Sequence, residues 1–147
     1  MGFSAHSARG TSELRSGDVF ANRFEIDRVA GSGGMGTVYR ARDRFTGDMV
    51  ALKLLHNQSA DPHDAERFAR EAQFLSELRH PAIVSHVAHG FTPDGQRYLA
   101  LEWLDGEDLA QRIARGPLTV REGLLLLQHV AGALAAAHEH GVVHRDI

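Results

Sequence analysis

The 147-residue chain has no cysteine, which excludes disulfide staples and thiolate metal sites and suits a reducing compartment. It has no uninterrupted apolar run of the roughly 18 residues that a membrane helix needs, and its N-terminus lacks the apolar core of a signal peptide. The expectation is a soluble, cytoplasmic chain without a membrane segment. A net charge of −3 leaves no basic footprint for nucleic acid. Internal repeats are absent. What is present is enough for one core: 43% of the residues are apolar. Residues 1–17, rich in Ser, Gly, Ala and Arg, read as a disordered leader.

Lysine is almost absent too. Of 16 basic side chains, Lys53 alone is lysine. Arg is a planar fork suited to bidentate pairing, whereas Lys carries a compact ammonium on a thin stem that fits between a phosphate and a carboxylate. Lys53 also lies within Val50-Ala51-Leu52-Lys53-Leu54-Leu55, an apolar run that reads as a strand. Its stem can follow buried surface while its head reaches a site. Taken alone, the same residue is equally a surface lysine.

Upstream, Gly31-Ser32-Gly33-Gly34-Met35-Gly36 has the spacing G-x-G-x-x-G. Glycine there lets backbone N–H groups approach an anion without Cβ obstruction. A dinucleotide-binding unit requires a helix directly after the last glycine. Here Thr37 to Asp43 alternates at period two, Phe45 to Asp48 reads as a turn, and the chain extends again from Met49. With the alternating stretch from Arg23 to Val29, the simplest assembly is three antiparallel strands, a glycine-rich hairpin joining the first two and Lys53 on the third.

Asp61-Pro62 resembles a helix N-cap followed by proline in the first turn, and the helix is expected to run to about Arg79, before His80-Pro81. Phe68, Ala72, Leu75 and Leu78 form its apolar stripe, and Glu71 falls on that stripe. A buried carboxylate needs a partner, and Lys53 is the candidate; at about 4 Å and an effective dielectric near 20 their gross attraction is about 4 kcal/mol. A boundary glutamate reaching to water is the alternative.

The glycine-rich loop, Ala51-Leu52-Lys53, Glu71, His80-Pro81-Ala82-Ile83-Val84 and the closing His144-Arg145-Asp146 together resemble a eukaryotic-like protein kinase of the bacterial Ser/Thr type, in order and spacing from about Phe20 to the last residue. The resemblance implies an α+β fold: an antiparallel β N-lobe with one regulatory helix (residues 18–101), a hinge (102–108) and the first helices of an incomplete α-helical C-lobe (109–147). It implies ATP with Mg²⁺, a protein Ser/Thr hydroxyl as acceptor, and the following roles. Gly31, Gly33 and Gly36, with Ser32 and Gly34 between them, would cover the phosphates, Val38 and Ala51 would roof the adenine, and Lys53 would hold the α- and β-phosphates, oriented by Glu71. Leu101 would guard the back pocket, and the backbone of Glu102 and Leu104 would bond the adenine edge. Asp108 stands where the family often contacts the ribose, or simply caps a helix. Leu75 matches the position that packs the helix onto the C-lobe. Asp146 would accept or orient the substrate hydroxyl proton, beside Arg145.

Beyond the hinge, a short helix over residues 109–115 is closed by Gly116-Pro117, and Thr119-Val120-Arg121-Glu122 is a capping box opening a long helix. Residues 124–137 are apolar on nearly every face, which marks a helix buried all round in its parent structure or a docking surface for a partner. The family pattern H-R-D-x-K-x-x-N runs past Ile147, so the resemblance puts the Mg²⁺ ligands beyond it. The chain therefore reads as the front half of a kinase domain, not expected to transfer phosphoryl by itself; a non-catalytic nucleotide-binding or protein-interaction module is the alternative. His138, His140 and His144 invite a metal reading, but Gly141 breaks the helix between the last two. His86 departs from the family, which usually has an apolar residue there.

Overall fold

The computed structural model describes residues 13–34, 36–56 and 62–143. Six antiparallel strands form one sheet: β1 (Val19–Phe20), β2 (Phe24–Gly33), β3 (Gly36–Asp43), β4 (Met49–Leu55), β5 (His86–Phe91) and β6 (Arg97–Glu102), in the spatial order β1-β2-β3-β4-β6-β5. Helix α1 (Pro62–Glu77) connects β4 to β5, and α2 (Leu109–Ala114) and α3 (Val120–Glu139) follow β6. This is the expected α+β arrangement, with the Lys53 strand third in the β2-β3-β4 meander.

Period-two alternation divides the sheet into two faces. On β4, Val50, Leu52 and Leu54 are buried while Ala51 and Lys53 are half-buried. The buried face gathers Phe24, Ile26, Tyr39, Ala41, Val50, Leu52, Leu54 and Ala100 into the core, with Phe20 and Tyr98 meeting edge to face at 5.2 Å. Side chains of this size contribute about 1.5–3 kcal/mol each when fully buried. Leu14 packs on this core and its N–H donates to the Tyr39 hydroxyl at 3.2 Å, while the Gly17 N–H donates to the Ile26 carbonyl at 2.8 Å. Residues 13–17 thus belong to the fold.

One charge lies wholly within this layer. Asp43 is fully buried and receives Arg23 Nε at 2.9 Å, Arg23 Nη2 at 2.6 Å and the Phe45 N–H at 3.0 Å. Hydrogen bonding from Arg23 holds the Asp43 carboxyl below its ordinary range against the opposing effect of burial. The guanidinium also stacks 5.0 Å from the ring centroids of Phe24 and Phe45.

The C-terminal helices follow their caps. Asp108 begins α2 and Thr119 begins α3, each with a reciprocal capping box closed by Gln111 and Glu122 respectively. Glu122 accepts from the Thr119 N–H at 2.8 Å, from its hydroxyl at 2.8 Å and from Arg112 at 3.0 Å, and these bonds lower its pKa to about 2. Helix α3 buries none of its residues: Leu124 is 63% and Leu127 66% exposed. The helix expected to be buried all round in its parent structure therefore exposes these leucines on this chain.

Candidate functional site

Strand register assembles the unburied face. Lys53 is paired with Val38 of β3 and Leu99 of β6, and Ala51 with Arg40 and Leu101. Directly paired residues project to the same side of a sheet, so Val38, Ala51, Lys53 and Leu101 share one face, opposite the core. The one lysine of the chain thus stands in the middle of the sheet, half-buried, with its stem between apolar neighbours.

The glycine-rich segment is the β2–β3 hairpin. Gly33 pairs with Gly36, and the Ser32 and Thr37 hydroxyls lie 3.3 Å apart across it. The glycines are not equivalent. A Cβ added at Gly36 would overlap the Leu54 carbonyl oxygen, so the protein itself requires glycine there. A Cβ at Gly31, Gly33 or Gly34 meets nothing within 4 Å among the described residues. Packing among the described residues does not demand glycine at those three positions.

Glu71 departs from expectation. Phe68, Ala72 and Leu78 are buried and Leu75 half-buried, but Glu71 is exposed, and among the described residues no ion pair joins it to Lys53. The reason lies in where α1 rests. Its contact with the sheet is to β5, through Phe68 against His89 at 6.4 Å and Phe91 at 5.6 Å. In the order β4-β6-β5, that strand is two positions from Lys53, about 10 Å away at the usual strand spacing. Glu71 instead borders a cavity of about 560 Å³, lined by Arg67, Phe74, Leu75 and Leu78 on the helix side and by Val142 and Val143 opposite.

His86 is half-buried on β5, and its Nε2 lies 2.9 Å from His89 Nδ1. Burial first, then the charges of His89 and Arg79, push its pKa below the ordinary imidazole value. His86 thus stands half-buried where the family usually has an apolar residue.

Glu102, the last residue of β6, and Trp103 after it are both held by hydrogen bonds. The Glu102 N–H donates to the Ser85 carbonyl at 2.9 Å, the Ser85 N–H donates to the Glu102 carboxylate at 2.7 Å, and the Trp103 N–H donates to the Met49 carbonyl at 3.3 Å. Leu104 is 63% exposed. Asp108 accepts the Gln111 N–H at 2.7 Å, so its carboxylate acts here as the helix cap. Arg28 and Arg40, which no motif singled out, gather at Trp103. The signal available was a pair of arginines on neighbouring strands and a lone tryptophan directly after the last strand. Asp146, with His144 and Arg145, and Asp61 lie outside the described residues.

A model of the protein kinase domain matches residues 24–147, from the first long strand to the chain's last residue. The chain belongs to the protein kinase domain family. Among curated kinases it is 42% identical over 130 residues to the serine/threonine-protein kinase pkn2 of Myxococcus xanthus, covering 88% of this chain and 16% of pkn2. It is 40% identical over 133 residues to the serine/threonine-protein kinase PrkC of Bacillus subtilis, covering 89% of this chain and 20% of PrkC. Among solved structures it resembles the PknI kinase domain of Mycobacterium tuberculosis, with 36% identity and a TM-score of 0.79 over 92% of this chain and 55% of that one. The chain thus spans about half of a solved kinase domain and a fifth or less of these two curated kinases. No helix among the described residues is long and apolar enough to cross a membrane. The kinase match does not bear on a partner for residues 124–137.

Proposed function

We propose that this chain is the nucleotide-cradling part of a bacterial protein Ser/Thr kinase domain, working in the cytoplasm where ATP is supplied. The observation that carries the reading is the placement of Lys53. The sole lysine shares a sheet face with Val38, Ala51 and Leu101, beside a hairpin in which a Cβ at Gly31 or Gly33 would meet nothing within 4 Å among the described residues. On that face Val38 and Ala51 would roof the adenine, the backbone of Glu102 and Leu104 would hold its edge, Leu101 would guard the back of the pocket, and Ser32 and the glycine amides would lie along the phosphates. Lys53 would neutralise the α- and β-phosphates. Glu71, on the bank of its cavity, would reach Lys53 only after α1 moves toward β4.

In the complete reaction, a substrate Ser/Thr oxygen bonds to the γ-phosphorus, the bond from that phosphorus to the β,γ-bridging oxygen breaks, and ADP leaves. Asp146 would take or orient the hydroxyl proton. Mg²⁺ accompanies ATP in this family and neutralises phosphate charge. Among the described residues no cluster of three or more His, Asp or Glu could hold a metal ion. The 147-residue chain is expected to bind nucleotide without efficient transfer.

Calorimetric titration of ATP into the folded chain, beside Lys53→Met, tests the reading. Loss of a charge-assisted contact worth about 1.5–3 kcal/mol should weaken binding by about ten- to a hundredfold. Equal binding by the two proteins would refute the assignment of Lys53, and absence of binding by the parent would refute the cradle.

A further inference from the structure

Strand β2 departs from regular pairing at Asp27. Ile26 stands opposite Ala41 and Arg28 opposite Arg40, so Asp27 is an extra residue, a bulge of the kind that re-aims side chains. Its carboxylate receives Arg40 Nη1 at 2.7 Å and lies 3.9 Å from Arg28 Nε. The pairings Arg28 to Arg40, Arg40 to Ala51 and Ala51 to Leu101 form one row across β2, β3, β4 and β6. Both arginines therefore share the face that carries Lys53.

Trp103 stands in the segment after β6, two residues beyond Leu101, the last member of that row. The guanidinium carbons of Arg28 and Arg40 lie 5.6 and 5.5 Å from its ring centroid, within cation–π range. The indole N–H donates to Asp105 at 2.9 Å, and the backbone N–H is bonded to Met49. Arg40 Nε is covered and has no hydrogen-bond partner among the described residues, a cost that the ring contact and the Asp27 ion pair offset. Two like charges beside one ring repel each other, and one bulged carboxylate serves both. An apolar cluster would tie the same strands without that cost, so the arrangement calls for a role beyond stability.

We propose that Trp103, gripped by Arg28 and Arg40, is a positioning residue of the nucleotide cleft. It ties the hinge to strands β2 and β3 and fixes the gap between the roof formed by Val38 and Ala51 and the backbone of Glu102 and Leu104. That gap sets how tightly an adenine nucleotide is held. The proposal rests on the nucleotide reading above and adds to it residues that no ATP contact was assigned to.

Trp103 is the only tryptophan in the chain, so its emission reports on this point alone. The experiment titrates ADP and ATP with Mg²⁺ into the 147-residue chain and follows binding by calorimetry and by Trp103 emission. Amide hydrogen exchange at Glu102 and Trp103 is measured without nucleotide. The variants are Trp103→Ala, Trp103→Phe and the double variant Arg28→Met/Arg40→Met. Removing the ring or both cations should weaken binding about five- to tenfold and speed exchange at both amides, with Trp103→Phe, which keeps an aromatic face, recovering most of the loss. Parent-like affinity in Trp103→Ala, with or without faster exchange, overturns the positioning role and leaves the nucleotide reading standing. Absence of binding by the parent chain is a different result, which overturns the nucleotide reading and the positioning role together. Should Trp103→Ala fail to fold, the double variant, which keeps the indole, decides by the same comparison.

Discussion

At the scale of single residues, the chain's charges divide into those that fold it and those held in reserve. Asp43 belongs to the first group: it is wholly buried and its three bonds leave it no contact with water. Removing one member of a buried ion pair leaves the other uncompensated, so Asp43→Asn should cost about 3 kcal/mol, read as a lowered denaturant midpoint at neutral pH. The pH dependence has a definite sign. The carboxyl is held below its ordinary 3.8 in the folded state, so its contribution is complete above that value and is lost as pH falls further, through the folded-state pKa. Denaturant titrations between pH 7 and pH 2 should show this loss in the parent and a shallower slope in Asp43→Asn. Lys53 belongs to the second group. It stands half-buried without an ion-pair partner among the described residues, a cation available to a ligand.

At the scale of elements, the glycine-rich hairpin sets, within six residues, a glycine that packing requires beside glycines that it does not. Gly36 packs against the backbone of Leu54, whereas Gly31 and Gly33 face open space. Gly36→Ala should therefore lower the melting temperature by several degrees, the shift that about 1–3 kcal/mol of backbone strain produces in a small domain. Gly33→Ala should leave thermal unfolding within about 0.5 kcal/mol of the parent and weaken ATP. Unchanged ATP affinity in a folded Gly33→Ala would remove the hairpin from the binding site. The elements themselves were largely legible beforehand. The strands announce themselves by alternation, and Thr119 with Glu122 marks the start of α3 because a capping box needs only residues three apart. The orientation of Glu71 was not legible. Helical spacing places it on the apolar stripe, but only the strand on which α1 rests decides whether that arc of the helix is covered.

At the scale of the whole molecule, α1 meets the sheet over a histidine pair. The imidazole of His86 is kept neutral chiefly by burial and then by His89 and Arg79. A histidine whose folded pKa lies below its ordinary 6.5 makes the unfolded chain the better proton acceptor, so stability should be level above that pH and fall as pH drops below it. Chemical denaturation at intervals from pH 8 to pH 5 should show the fall, and His86→Leu should flatten it; a parent profile already level to pH 5 would contradict the assignment. This window lies above that of Asp43, so the two effects separate in one pH series. On α3, Leu124, Leu125 and Leu127 face solvent.

The order of motifs along the chain carried the kinase resemblance that the family match bears out, while periodicity and short-range spacing determined, from the sequence by themselves, the glycine-rich hairpin, the Lys53 strand and the capped helices. Each depends on residues a few positions apart, whose geometry the backbone dictates. Tertiary structure alone decided the Arg23–Asp43 pair, the bulge at Asp27, the meeting of Arg28, Arg40 and Trp103, and the separation of Glu71 from Lys53. Those features depend on which strands become neighbours and in what register. Arg23 and Asp43 are 20 residues apart in sequence, and Arg40 and Trp103 are farther apart still. Long-range pairing is settled by how the core packs as a whole, a property that no local stretch of sequence contains.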